Sequence, residues 1–276
     1  MSNRRIEILL AFAKMGQTGG SLADLAWNTF VPPCSVMGKR MVERLERGPD
    51  GTTVAWIKGI KSPLYFPNEF GMIGLYHVLT EAMYRRNWHF YTPPETPLEK
   101  GDVVFDCGSA EGLFMLLARN TGASGLIFEP HPTYLRALRL TFANDAAVTI
   151  VDAALSNHNE SAFLLESSYG SRIVGDGDNG QHIKINVETI DSAAQRTRCI
   201  PTFLKADIEG YEQKMLEGAA ETISSARPKI AITTYHDEND LESIRKLLRH
   251  YNANYRFRIK GISNRHGKSV MLHAWN

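Results

Sequence analysis

From Asp102 onward, short apolar runs alternate with amphipathic ones in a regular beat. DVVFDCG (102–108) is a β-branched and aromatic run that ends in a Gly turn, and it predicts a strand. LFMLLARN (113–120) predicts a helix, SGLIFEP (124–130) a strand, TYLRALRLTFAND (133–145) a helix and VTIVDAAL (148–155) a third strand. FLLES (163–167) and HIKINVETI (182–190) bracket a Gly/Asp-rich loop. In the second of these, Ile183, Ile185 and Val187 alternate with Lys184, Asn186 and Glu188, the period of a half-exposed strand, so an inserted hairpin is expected here. TFLKADIEG (202–210), helix YEQKMLEGAAETISS (211–225) and strand KIAITTYH (229–236) resume the beat. After a helix at LESIRKLLRHY (241–251), strands YRFRIKGIS (255–263) and SVMLHAW (269–275) are joined by NRHGK, short enough for an antiparallel hairpin. Alternating β and α predicts an α/β fold, a mostly parallel sheet with helices on both faces. Ligands of such sheets bind at the carboxyl ends of the strands, beside the first one.

The first part of the chain is less regular. Ile6–Lys14 and Ser35–Arg47 read as helices. TVAWIKGI (53–60) and PLYFP (63–67), separated by Lys61-Ser62, read as a hairpin. Ile73, Tyr76, Leu79 and Met83 fall three and four apart, which predicts an amphipathic helix over 71–86. TPPETPLEKGD (92–102) is a Pro-rich connector that neither a helix nor a central strand accommodates. The expected organisation is an N-terminal helical and hairpin extension, 1–98, and a catalytic α/β domain, 99–276.

Composition narrows the classes. In 276 residues, 31 Lys+Arg stand against 30 Asp+Glu, with 43% hydrophobic and 22% charged. This excludes a disordered chain, a collagen-like repeat and a disulfide scaffold. Near-zero net charge removes the electrostatic case for a dedicated nucleic-acid or membrane-surface binder. Cys34, Cys107 and Cys199 form no CxxC pair, so neither a zinc ribbon nor a redox dithiol is expected. The apolar run near the N-terminus is broken by Glu7 and Lys14, which suits an amphipathic helix better than a leader. The expected location is the cytoplasm. The pattern leaves the oligomeric state open and is compatible with a homo-oligomer.

Candidate chemistry begins at the first strand of the α/β part. In VVFDCGSAEG, Asp106 is followed by Gly108 and Gly112 with Ala110 between, on a strand-to-helix turn. Glycines there let backbone approach a ligand closely. Glu129 ends the next strand, a suitable place for a carboxylate that holds ribose hydroxyls. A dinucleotide site wants G-x-G-x-x-G, and Ala110 and Leu113 stand where its later glycines belong. A cationic ligand without phosphate, S-adenosyl-L-methionine (SAM), fits the acidic turn better.

DVVFDCGSAEGLF, IFEPHP, AALSN, FLKADIEGYE and IAITTYH resemble the FkbM family of SAM-dependent methyltransferases over roughly residues 100–276. The match is most specific at Lys205–Glu212, a K-x-D-I/V-E-G-x-E run. The resemblance implies a class I methyltransferase fold, Rossmann-like, closed by a C-terminal antiparallel hairpin. It implies O-methylation of a small molecule, sugar, glycan or natural product. It also implies a SAM site along Asp106, Gly108, Ser109, Ala110, Glu111 and Gly112, with Glu129 and Pro130 at the ribose and Asp152 or Ala153 beside the adenine. Asp207 would border the same cofactor.

The next two strand ends carry Asp207, Glu209, Tyr235 and His236, all expected near the transferred methyl. An alcohol acceptor loses a proton, and imidazole is a natural base, so His236 is the first candidate, with Asp207 or Glu209 orienting it. The plainer alternative makes His236 a backbone-bonded strand cap and Glu209 a helix N-terminal charge. A metal held by Asp207, Glu209 and His236 is disfavoured, because alternate residues of an extended segment point to opposite sides, and no metal is expected. DGDNG (176–180) lacks the register of a calcium loop and reads as a hairpin tip able to act as a lid. Of the aromatics before residue 99, Tyr65 and Tyr91 are the pocket candidates, and His89 reads as hydrogen-bonded structure. RRNWHFY (85–91) and RFRIKGISNRHGK (256–268) are locally basic, which keeps an RNA methyltransferase as a weaker alternative. A non-catalytic SAM- or nucleotide-binding module and an NAD-dependent oxidoreductase are the others. The expected partner is a small-molecule or glycan acceptor, with neither nucleic acid nor membrane.

Overall fold

The computed structural model describes residues 2–15, 21–167, 170–174, 182–236, 239–263 and 268–276. The chain opens with helices α1 (Ser2–Met15), α2 (Leu22–Phe30) and α3 (Cys34–Met41). Ser21 and Asp24 cap α2 reciprocally, each side chain accepting the other's backbone N–H. Strands β1 (Val42–Arg47), β2 (Thr52–Ile57) and β3 (Leu64–Pro67) form an antiparallel sheet in sequence order, and α4 (Gly71–Met83) follows. The single helix expected over 35–47 is therefore corrected: it stops at Met41, and Leu45 pairs with Ala55 of β2. Glu, Arg and Leu are good helix formers, but intrinsic propensity is a small preference per residue, and the neighbouring hairpin supplies a partner edge that overrides it.

The catalytic part is built from β4 (Val103–Cys107), α5 (Leu113–Thr121), β5 (Ser124–Phe128), α6 (Pro132–Thr141) and β6 (Val148–Val151). The third strand is shorter than expected. After Val151 the chain leaves the main sheet, and β7 (Ala154–Leu155) joins β8 (Glu160–Ser167), β9 (Gly170–Val174) and β10 (His182–Glu188) in a smaller sheet ordered β7-β10-β8-β9. The expected inserted hairpin is thus part of a four-stranded sheet; DGDNG (176–180) and most of NRHGK (264–268) lie outside the described residues. Then come α7 (Ile190–Thr197), β11 (Phe203–Ala206), α8 (Glu212–Glu217), α9 (Ala220–Ala226), β12 (Lys229–Thr233), α10 (Leu241–Tyr251), β13 (Arg256–Lys260) and β14 (Met271–Trp275). The helix expected over 211–225 is two helices, α8 and α9. Gly218 lies at the break, where a Cβ would collide with the Ser156 carbonyl.

The main sheet has seven strands in the order β13-β14-β12-β11-β4-β5-β6, with β14 antiparallel to both neighbours. Strand order reverses between β4 and β11, so a crevice opens over their carboxyl ends. Alternate residues supply the two apolar faces. Val104 and Phe203 face α4, α5 and the N-terminal sheet, whereas Phe105 and Leu204 pack with Ile244 and Leu248 of α10. Ile8, Ile57, Leu64, Leu75 and Leu79 share the first of these cores, so the N-terminal extension is packed directly on the catalytic sheet. Among the described residues, no helix is long and apolar enough to cross a membrane.

Candidate active site

The crevice is organised by the turn that follows β4. Gly108, Ala110 and Gly112 have φ of 68, 49 and 88°, so the chain reverses through left-handed backbone at three alternate positions. A Cβ on Gly108 would collide with the Asp207 carbonyl, which is how closely the turn approaches the tip of β11. Asp106 is fully buried under this turn. The Lys205 ammonium, on the neighbouring strand, lies 3.0 Å from its Oδ1 and donates to the Gly108 carbonyl at 2.7 Å. Ser109 Oγ donates to Asp106 Oδ2 at 2.6 Å. Burial depresses the lysine pKa, but the charges of Asp106 and Asp207 outweigh it, and the net shift is upward. Asp106 is accordingly the anchor of the turn, and Gly108 and Ala110 are what line the crevice. Ser109 and Glu111 are buried, and Gly112 backs onto Leu138 and Phe142.

Glu129 and Pro130 line the crevice at the end of β5. The Glu129 carboxylate accepts the backbone N–H groups of Ala110 (2.9 Å) and His131 (2.8 Å). Burial pushes its pKa up to about 7, against the pull of those N–H groups and of Lys205. Glu111 is raised to about 7 for the same first reason. Beyond Glu129 the wall becomes apolar: Phe128, Ala153, Leu155 and Leu164 of β8. Asp152, the other residue expected on this side, is exposed, 3.4 Å from Arg139 and not part of the wall. The split falls where the chain leaves β6 at Val151 and has not yet entered β7, so Asp152 turns out to solvent before Ala153, Ala154 and Leu155 reach the wall.

At the other end stand the tips of β11 and β12. Asp207 accepts the Tyr91 hydroxyl at 2.8 Å, and its other oxygen lies 3.1 Å from the Thr233 hydroxyl, whose one proton it shares with Glu212. Glu209 sits on the rim with φ of 54°, an uncommon backbone for a non-glycine residue. Glu212, fully buried, accepts the N–H groups of Ile208 (2.9 Å) and Gly210 (3.0 Å), the Asn239 amide (2.6 Å) and the Thr233 hydroxyl (2.8 Å). His236 is clamped between carboxylates, with Nε2 3.3 Å from Glu209 and Nδ1 3.4 Å from Glu212. Burial lowers its pKa, but these two carboxylates raise it further, to about 10. It therefore holds its proton at neutral pH, which conflicts with the general-base role expected for it. Donor atoms of Asp207, Glu212 and His236 lie within 4.8 Å of one another. Both Glu212 oxygens are already taken by four donors, so a cation there would displace existing bonds.

The pattern of residues missed Glu212 as the keystone of this corner, although it ends the K-x-D-I-E-G-x-E run. It also missed Leu164, Tyr134 and Tyr211 in the wall. Of the two tyrosines expected at a pocket, Tyr91 is at the site. Tyr65 lies elsewhere, its N–H bonded to the Thr141 hydroxyl at 3.1 Å.

The crevice suits SAM in three respects. A glycine cradle admits close backbone approach, a buried carboxylate meets ribose hydroxyls, and an apolar slot receives a flat base. Among the described residues, Glu129, Asp207 and Glu209 line it with no Lys or Arg, which complements a ligand carrying a sulfonium and an ammonium. SAM would thus be held by Gly108, Ala110, Glu129 and Ala153, with Asp207 at the reactive end.

Among curated proteins, none matches the chain by sequence. Among solved structures, the FkbM methyltransferase from Methylobacillus flagellatus KT superposes with a TM-score of 0.51 at 18% identity, covering 96% of this chain and 65% of that one. At that identity the likeness shows the fold, and the chain spans 65% of that relative's length. Aeropyrum pernix fibrillarin, solved with natively bound SAM, is 11% identical over 84% of this chain and 98% of its own, with a TM-score of 0.44. The precorrin-6y C5,15-methyltransferase of Geobacter metallireducens is 14% identical over 65% and 83%, with a TM-score of 0.39. The profile of the methyltransferase FkbM domain matches residues 106–257, more than half of the chain, and the protein belongs to the FkbM family of SAM-dependent methyltransferases.

Proposed function

We propose that the protein methylates a hydroxyl oxygen of a small molecule, sugar or glycan. The observation that carries this reading is the charge of the crevice: Glu129, Asp207 and Glu209 line it, without Lys or Arg among the described residues. A phosphate-rich acceptor such as RNA would enter against Asp207 and Glu209 at the reactive end, whereas nucleic-acid sites present cations to phosphate. A neutral polyhydroxyl compound meets no such penalty, and carboxylates accept its hydrogen bonds. When bound, SAM supplies an electrophilic methyl group on a sulfonium. The protein's own share is to hold Glu129 against the ribose and keep Asp207 fixed between Tyr91 and Thr233. Alignment of this kind supplies up to roughly 7–11 kcal/mol of a transfer barrier.

The test has two parts. S-adenosylhomocysteine should raise the melting temperature, because a ligand of the native state adds stability. Radiolabelled SAM is then offered with a panel of phenols, sugars, glycans and hydroxylated natural products, and with RNA. Label on hydroxyl compounds and none on RNA supports the reading. Label on RNA, or only on nitrogen, overturns it; cofactor binding with no transfer to any compound favours a non-catalytic module.

A further inference from the structure

The segment between α4 and β4 brings a second histidine to the strand tips. His89 Nδ1 lies 3.0 Å from Glu81 Oε1 of α4. The backbone N–H of His89 donates to the Asn87 side chain at 2.9 Å, which fixes the ring's attachment point. Its ring meets Tyr235 edge-on at 5.4 Å, and Tyr235 packs on His236 at 4.3 Å. Two residues further on, the Tyr91 hydroxyl reaches Asp207. Through Tyr235 and Tyr91, His89 thus stands beside the tips of β11 and β12, next to the crevice that Asp207 lines. Among the described residues its Nε2 has no hydrogen-bond partner, and its side chain is 21% exposed. A carboxylate on Nδ1 keeps the proton on that nitrogen and leaves the Nε2 lone pair open when the ring is neutral.

The neighbouring groups are less available to take a proton at neutral pH. The carboxylates of Glu209 and Glu212 favour the protonated form of His236. Asp207 accepts the Tyr91 hydroxyl and shares the Thr233 hydroxyl with Glu212, and a carboxylate is intrinsically a weaker base than imidazole. We propose that His89, oriented by Glu81, is the residue that accepts the proton of the acceptor hydroxyl. This rests on the hydroxyl-methylating reading above. The acceptor hydroxyl gives its proton to Nε2 as its oxygen bonds the methyl carbon. The carbon–sulfur pair stays on sulfur, leaving neutral S-adenosylhomocysteine, and the imidazolium later returns its proton to water.

The groups facing His89 set its titration. Burial lowers its pKa most, but Glu81 outweighs this and Asp207 adds to it, while the His236 cation opposes; the net shift is above the ordinary histidine value. His77, 3.3 Å from Glu81, competes for the same carboxylate, and Tyr235 and Tyr91 border the site as neutral phenols. Transfer should therefore rise with pH on a limb displaced to the alkaline side of free imidazole.

The test does not need the acceptor. Diethyl pyrocarbonate reacts with neutral, accessible imidazole, and peptide mass spectrometry reads each histidine across pH 5.5 to 9. His89 should be modified far faster than His236, with a midpoint above about 6.5 that falls in Glu81→Gln. His89→Gln should bind S-adenosylhomocysteine with wild-type affinity, which also shows that it folds. It should transfer label about 100-fold more slowly to any hydroxyl compound that the wild type methylates. A His89 that resists the reagent, a midpoint indifferent to Glu81→Gln, or wild-type transfer by His89→Gln overturns the proposal. Failure of the wild type to bind S-adenosylhomocysteine would instead strike the cofactor reading on which it rests.

Discussion

Replacing His236 with glutamine keeps a hydrogen-bonding group between Glu209 and Glu212 but removes the charge. In the folded protein the imidazole titrates at about 10, because the two carboxylates overcome burial; unfolded, it titrates near 6.5. Below the unfolded value both states are protonated and the ion pair's contribution is complete. Between the two values the folded state alone holds the proton. Stability therefore falls by about 1.4 kcal/mol per pH unit from this group, and the contribution is gone once pH passes the folded value. Integrated over the window, the difference is on the order of 5 kcal/mol. Urea unfolding of wild type and His236→Gln at pH 6, 8 and 10 reads it directly. The wild type should lead by several kcal/mol at pH 6, and the curves should approach each other by pH 10. A gap independent of pH, or a wild type whose lead grows toward pH 10, would refute the charged clamp.

Three other perturbations separate the remaining parts of the site. Lys205→Met leaves Asp106 buried without its cation, and should cost about 3–5 kcal/mol in urea unfolding at pH 7. Gly108→Ala forces a side chain into left-handed backbone against the Asp207 carbonyl; S-adenosylhomocysteine binding should be lost and the melting temperature lowered, both read in one thermal scan. Glu129 has a folded pKa of about 7, above its ordinary value, so its contribution to stability is complete below about pH 4.3 and is lost as pH rises through 7. S-adenosylhomocysteine affinity, measured calorimetrically, should rise from pH 6 to 8 as the carboxylate ionises to accept ribose hydroxyls. Glu129→Gln should flatten that rise.

Much of the architecture was legible because strand and helix periods differ. Runs such as Val103–Cys107 and Phe203–Ala206 are buried on both faces and bounded by turns, so the strands of a mostly parallel sheet could be anticipated, though not their full order. The Gly108 turn and Glu129 were legible because backbone reversal and a strand-end carboxylate leave marks at single residues. Other features depend on partners that local pattern does not show. Val42–Arg47 became a strand only because β2 offered an edge. Asp152 and Ala153 differ by one position, and where the chain changes sheets decides which faces the crevice. His236 looked like a base because its type is suited to the task. Its charge state is set by Glu209 and Glu212, which are distant in sequence. The bond from Tyr91 to Asp207 spans 116 positions, and so the sequence marked Tyr91 as a pocket residue without showing its partner.

The most direct measurement is a crystal structure of the protein with S-adenosylhomocysteine. The ribose hydroxyls should lie on the Glu129 carboxylate, the base against Ala153 and Leu155, and the sulfur toward Asp207, with the Gly108 turn under the amino acid moiety. A ligand bound outside this crevice, or a crevice closed by protein while the ligand sits elsewhere, would contradict the account.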